Sequence, residues 1–520
     1  MSPRSQRLLH DGLLASAADP ALARKVAVVV EGEAHTYGEL LDSASRLAAA
    51  QRDRGVVRGD RVAIYMDNSW PCVVSICATM LAGGVFLLIN PQTKADKLGF
   101  ILDDSGARLL LTDGHLEKEF LPLLAHATHL AGVISSGSVP AGHGIISFDD
   151  AIRDSIPLTH PAATIPLDLA ALIYTSGSTG QPKGVMQTHQ SMVFTAGSLI
   201  EYLRLGRDER ILCVLPLAFD YGLYQLLMTM RLGATLVLER SFTYPAQVFA
   251  RMQAFGVTVF PGVPTIFSML LSAHQREPLC FAGVTRVTNT AAALADASTT
   301  RLHDIFPAAL IYKMYGLTEC KRVSYLEPEL VEAKPGSVGK AIPGTEVYLL
   351  SAEGQPTPVG ETGTLHVRGP HVMLGYWNRP DLTEQMLRPG KLPGERVLCT
   401  HDLFRMDAEG YLYFVGRSDD IIKTRGEKVS PVEVENAMHA IAGIREVAVV
   451  GVPDALLGQA IRAYVVLEPG TSLSSGQIRA QCITRLENFM VPQQIVLCTG
   501  LPRTSTGKVS KKALLEQTST

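Results

Sequence analysis

The chain has 520 residues, 47% hydrophobic and 19% charged, which is too long for one core and describes a globular protein of two or more domains. Its formal net charge of −3 gives no broad electrostatic attraction to an anionic membrane or to nucleic acid, and no nucleic-acid partner is expected. The eight cysteines (72, 77, 213, 280, 320, 399, 482 and 498) contain no C-x-x-C pair, so neither a zinc site nor a disulfide framework is indicated and a reducing cytoplasm is expected.

The first ten residues run into Asp11 and mixed polar sequence without the apolar core of a signal peptide, which argues against secretion. From Val26 to Asp113, short apolar runs (Val26 to Val30, Arg61 to Tyr65, Arg108 to Thr112) alternate with amphipathic stretches such as Tyr37 to Arg54. That alternation predicts a largely parallel sheet with helices. Pro71 to Ile89 carries no charge and approaches membrane-spanning length, but Gly83-Gly84 divides it into a helix-like and a strand-like half. It reads as a buried helix-to-strand unit, and no integral membrane segment is expected.

Leu169 to Tyr174 suits a buried strand and leads into Thr175-Ser-Gly-Ser-Thr-Gly-Gln-Pro-Lys-Gly184. Here Thr175, Ser176, Ser178 and Thr179 are interspersed with Gly177 and Gly180. Backbone N–H groups and hydroxyls can therefore approach a polyphosphate without interference from Cβ atoms, and Lys183 adds a positive charge. Pro182 before that lysine and Gly184 after it do not fit the Walker pattern. A ligand-free Ser/Gly/Thr linker has the same composition; the flanking strand and the Pro-Lys-Gly ending favour a phosphate loop. Val185 to Phe194 is expected to open a helix.

A second block follows, with strands at Arg210 to Leu215, Ala234 to Leu238 and Val257 to Phe260 and a helix from Leu223 to Leu232. Ligands of such sheets bind at the carboxyl ends of the strands. From Gly336 to Gly416 the sequence turns glycine-rich, with strands and turns, and past Arg417 it becomes a compact βα pattern. The expected fold class is α/β. Residues 1–418 would form a large N-terminal domain of parallel-rich sheets with helices plus a β-rich subdomain, and 419–520 a small α+β C-terminal domain.

Three further elements carry chemistry: Met314-Tyr-Gly-Leu-Thr-Glu319, Thr400-His-Asp402 with Glu409-Gly-Tyr-Leu-Tyr-Phe-Val-Gly-Arg417, and Pro502-Arg-Thr-Ser-Thr-Gly-Lys-Val509. Together with the phosphate loop they resemble the adenylate-forming superfamily: acyl-CoA synthetases, the adenylation domains of peptide synthetases, and luciferases. The resemblance covers nearly the whole chain. It implies an ATP- and Mg²⁺-dependent ligase that joins a small carboxylic or amino acid to AMP, releases pyrophosphate and passes the acyl group to a thiol. That thiol would belong to CoA or to the phosphopantetheine of a separate acyl carrier protein.

By the same resemblance, Glu319 holds the metal, Thr318 touches the α-phosphate and Tyr315 stacks on adenine. Asp402 would accept both ribose hydroxyls with Arg417 in support, and Lys508 would bridge the attacking carboxylate and the α-phosphate. Asp419 stands at the hinge and Gly426 at the thiol tunnel. His401 departs from the family, where glycine is usual. Phe219-Asp220 looks like the pair that holds an amino acid's α-ammonium, or else Asp220 is a capping aspartate. Ala291 and Ala292 align loosely with a glycine-rich loop, and their added Cβ atoms would narrow the acid pocket. Competing readings are an amino-acid or acyl adenylating enzyme that loads only carrier proteins and, from another class, a nucleotide-binding pseudoenzyme.

Overall fold

A computed structural model describes residues 6–138, 144–176, 182–290, 294, 296–418, 420–424, 427–454, 457–504 and 508–516. The first sheet has seven strands between Arg61 and Thr188, parallel except for its edge, where Pro182–Thr188 runs antiparallel to Leu169–Ser176. The second has nine strands, and its centre is parallel: Arg210–Cys213, Thr235–Leu238, Val259–Gly262, Arg286–Asn289 and Leu310–Tyr315. Val26–Val30 belongs to this second sheet, pairing in parallel with Thr235–Leu238 far along the chain. A five-stranded antiparallel sheet occupies Glu346 to Arg417, and a fourth sheet spans Ile422 to Leu497.

Local chemistry sets the element ends. Thr36 opens the helix Tyr37–Asp53 with a reciprocal capping box to Glu39, satisfying N–H groups that a helix start leaves open. Trp70–Ala82 is buried almost throughout and stops at Gly83, whose φ of +83° is cheap only without a Cβ. The uncharged stretch is therefore a core helix followed by the strand Val85–Ile89. Among the described residues no helix is long and apolar enough to cross a membrane.

One expectation fails. Val185 does not open a helix: Pro182–Thr188 is a strand in register with Leu169–Ser176, Val185 facing Ile173, and the helix begins only at His189 behind a Thr188–Ser191 capping box. Val185, Gln187 and Thr188 are buried. The β-branched and apolar residues there complete a sheet edge, which outweighs the helical spacing. The phosphate loop is thus flanked by two paired strands rather than by a strand and a helix, and its residues 177–181 lie outside the described residues.

Separate cores follow this architecture. One large cluster and one smaller cluster are built from residues before 415, while Ile422, Val434, Val449, Ile461 and Ile478 centre a core of their own in the last hundred residues.

Candidate active site

The carboxyl ends of the second sheet's parallel strands carry much of the site. Tyr315 ends the strand Leu310–Tyr315, and the loop after it closes when the Val323 N–H donates to the Tyr315 carbonyl at 2.9 Å. Within this loop Lys321 takes φ +64°, and its carbonyl oxygen would lie 2.2 Å from any Cβ at position 316. Only glycine fits that position, which explains the second residue of Tyr-Gly-Leu-Thr-Glu in packing terms.

Asp402 lies on the antiparallel sheet, opposite Arg417 in the ladder. The Tyr315 hydroxyl donates to Asp402 Oδ2, tying the two sheets together, and Phe404 and Phe414 flank the tyrosine ring. Burial beside that carboxylate drives the Tyr315 pKa well up, so the phenol stays a donor. His401 takes φ +58°, the left-handed conformation that glycine adopts most easily, so the backbone keeps the shape despite the substitution.

Glu319 Oε1 accepts from the Tyr376 hydroxyl at 2.6 Å, and the Lys183 ammonium sits 4.9 Å from the centre of the same tyrosine ring. Tyr376 is held by pairing to the hairpin strand: Met186 N–H donates to Gly375 O at 2.9 Å and Trp377 N–H to Gly184 O at 2.8 Å. Thr175 faces Lys183 across the hairpin, and Ser176 faces Pro182. Gln187 donates to the Thr318 carbonyl at 3.1 Å.

Lys508 comes from the small domain. Thr504 N–H donates to the Lys508 carbonyl at 2.7 Å and Arg503 bridges Val509, which anchors the lysine's backbone. Lys508 is exposed as a residue, and desolvation by the protein around its ammonium lowers its pKa against the pull of Asp402 and, more weakly, Glu319; the nearby Arg417 charge adds to the lowering. Lys183, Tyr315, Thr318, Glu319, Asp402, Arg417 and Lys508 thus meet around one region. Asp419, Gly426, Ala291 and Ala292 lie outside the described residues.

Phe219 precedes the helix Asp220–Leu232, whose first turn presses so closely that a Cβ at Gly222 would lie 2.3 Å from the Pro216 carbonyl oxygen. Asp220 as a residue is half-buried, but its carboxylate faces protein, accepts from Thr318 and is pushed up to about 6 by burial, against the opposing charges of Lys321 and Arg322. Lys321 is 1% exposed; its ammonium donates to Ser191 Oγ at 3.1 Å and His371 O at 2.9 Å, and burial lowers its pKa to about 7. Lys321, Arg322 and Tyr376 were not singled out from sequence. For the first two, a pair of consecutive basic residues one position past the Thr-Glu pair was the available signal.

Fold and residue set define an enzyme that activates acids through adenylates. The chain matches the AMP-binding enzyme family over residues 16–377 and the AMP-binding enzyme C-terminal domain over 433–508. It is 34% identical to a feruloyl-CoA synthase of Amycolatopsis over 92% of this chain and 93% of that one. It is 30% identical to a long-chain-fatty-acid–CoA ligase of Bacillus subtilis over 95% and 92%. An anthranilate CoA ligase, AuaEII, solved with anthranoyl-AMP, superposes with a TM-score of 0.90 at 26% identity over 99% of both chains. The chain belongs to the AMP-binding enzyme family, within the adenylate-forming superfamily, and is an AMP-forming acid–thiol ligase.

Proposed function

We propose that this ligase activates a small carboxylic acid on ATP and delivers it to CoA, with the residues above in the roles their positions support. The observation that carries this reading is the convergence of Lys508, Asp402, Arg417 and Glu319 from separate elements of both domains. Asp402 receives the ribose hydroxyls, and Tyr315, whose hydroxyl fixes that carboxylate, stacks on the adenine. Lys183 and the loop residues Thr175 to Gly180 bind the polyphosphate. Lys508 draws the substrate carboxylate to the α-phosphorus and neutralises charge that grows on the phosphoryl oxygens as pyrophosphate departs.

The donors fit a hard cation: Glu319 offers carboxylate oxygen, while the neighbouring Cys320 thiol is raised in pKa by burial and stays protonated. Mg²⁺ bound there would neutralise polyphosphate charge. We place the hinge at Asp419, dividing 1–418 from 419–520, and the thiol entry beside Gly426. Separate cores on either side support the division. Free cysteines, seven of them half-buried or buried, support a cytoplasmic setting.

The test is acid-dependent exchange of labelled pyrophosphate into ATP, followed by mass detection of acyl-CoA when CoA is added. Exchange without acyl-CoA, but with acylation of a carrier protein, would move the acceptor from CoA to the carrier. Acid-independent ATP binding alone would leave a pseudoenzyme.

A further inference from the structure

Arg322 is 3% exposed, and its guanidinium lies over the Tyr221 ring with Cζ 5.0 Å from the ring centre. Tyr221 is itself fixed, its hydroxyl within 2.7 Å of both the Thr288 carbonyl and hydroxyl oxygens. Asp220, Tyr224 and Tyr202 all lie within reach of the Arg322 charge. One nitrogen is engaged, Nη1 donating to the Lys321 carbonyl at 2.7 Å. The other two, Nε and Nη2, are buried and have no acceptor among the described residues.

Such an arrangement is costly without a ligand. A buried donor left unmade costs about 1–3 kcal/mol, more when charged. Nε and Nη2 share one edge of the guanidinium, and their N–H bonds run parallel, at the spacing of the two oxygens of a carboxylate.

We propose that Arg322 is a specificity-determining residue whose Nε–Nη2 edge receives a second carboxylate on the acid, so that the substrate class is dicarboxylic. The proposal rests on the acid-activating reading above. Activation takes place at the carboxylate nearer Thr318 and Lys508, and the distal one is held unreacted against Tyr221 and Arg322.

The experiment measures pyrophosphate-exchange kcat/KM for matched acids of four to eight carbons and their aryl counterparts. Each dicarboxylic acid is paired with the analogue in which the distal carboxylate is a methyl or a primary amide. Wild type should favour at least one dicarboxylic acid over both analogues by about a hundredfold or more, the scale set by a site built to pair with a missing group. In Arg322→Met that ratio should fall to within a few-fold of one, and Arg322→Lys should lie between. ATP-induced thermal shift reports whether each variant is folded. Should Arg322→Met not fold, the wild-type ratios and Arg322→Lys decide. Wild-type ratios near one, or a preference for the methyl or ammonium-bearing partner, overturn the assignment while leaving acid activation intact. Absence of exchange with every acid would instead overturn the functional reading.

Discussion

Gly316→Ala separates an effect of positioning from an effect of chemistry, because the residue carries no functional group. The added Cβ would lie 2.2 Å from the Lys321 carbonyl oxygen and 2.9 Å from the Arg322 Cα, both backbone atoms that cannot rotate away. Relief takes about 1 Å of opening in the loop that aims Tyr315, Thr318, Glu319 and Arg322. Misplacement on that scale costs about a hundredfold in rate, or ~2.7 kcal/mol of transition-state stabilisation. Overpacking should also destabilise the fold, by about 1–3 kcal/mol. A matched control is Gly476→Ala in the helix Ser475–Ile483, where the nearest contact is the Ser474 Oγ at 4.0 Å. There the substitution should be neutral in exchange and stabilise by up to about 1 kcal/mol through helix propensity. Pyrophosphate exchange and urea unfolding on both variants check this. Wild-type exchange in Gly316→Ala would refute the claim that the closeness of this loop aims the site.

Lys508→Ala should slow adenylation by about a hundredfold or more while largely sparing thioester formation from pre-made acyl-adenylate; an equal fall in both half-reactions would count against its role in the first step alone. Tyr376→Phe removes the 2.6 Å bond to Glu319 and should raise the Mg²⁺ concentration needed for half-maximal exchange several-fold, read from a magnesium titration at fixed ATP. Asp220→Ala leaves Lys321 and Arg322 without their counter-charge and should cost roughly 3 kcal/mol in urea unfolding whatever the acid. His189 and His371, 1% and 0% exposed, are held neutral by burial with pKa values lowered to about 4 and about 3. The unfolded chain therefore binds more protons below its histidine pKa near 6.5. Stability should fall by roughly 1.4 kcal/mol per pH unit for each as pH drops from that value toward 4, visible as urea midpoints at pH 7 against pH 5.

Motif residues were legible because their chemistry demands particular side chains at fixed spacing. Tyr315, Glu319, Asp402 and Lys508 stand in motifs that point to them without the fold, and His401 stands where glycine is usual, at a φ of +58°. The alternation of strands and helices was equally readable, since runs such as Val26 to Val30, Arg61 to Tyr65 and Leu223 to Leu232 each lie inside one element. What failed was local: Val185 to Phe194 has helical spacing, and only the partner strand Leu169–Ser176 makes its first part extended. Tyr376 was invisible because its meaning lies in a bond to Glu319 across 57 positions. Arg322 was invisible for a similar reason: a basic residue after a motif becomes informative only once its burial and the company of Tyr221 are known.

The pairing of Val26–Val30 with Thr235–Leu238 has a consequence during synthesis. On the ribosome, the run Val26-Ala-Val-Val-Val30 emerges early, and its antiparallel neighbour Glu33–Thr36 covers only one of its edges. The other edge waits about two hundred residues for its partner, roughly 10–40 s at ordinary elongation rates. Meanwhile the seven-stranded sheet is completed by sequence lying in between. A valine-rich edge left open that long is a target for holding chaperones and for intermolecular pairing. Yield of soluble protein should therefore respond more to translation speed and chaperone supply over this interval than to changes in the small C-terminal domain.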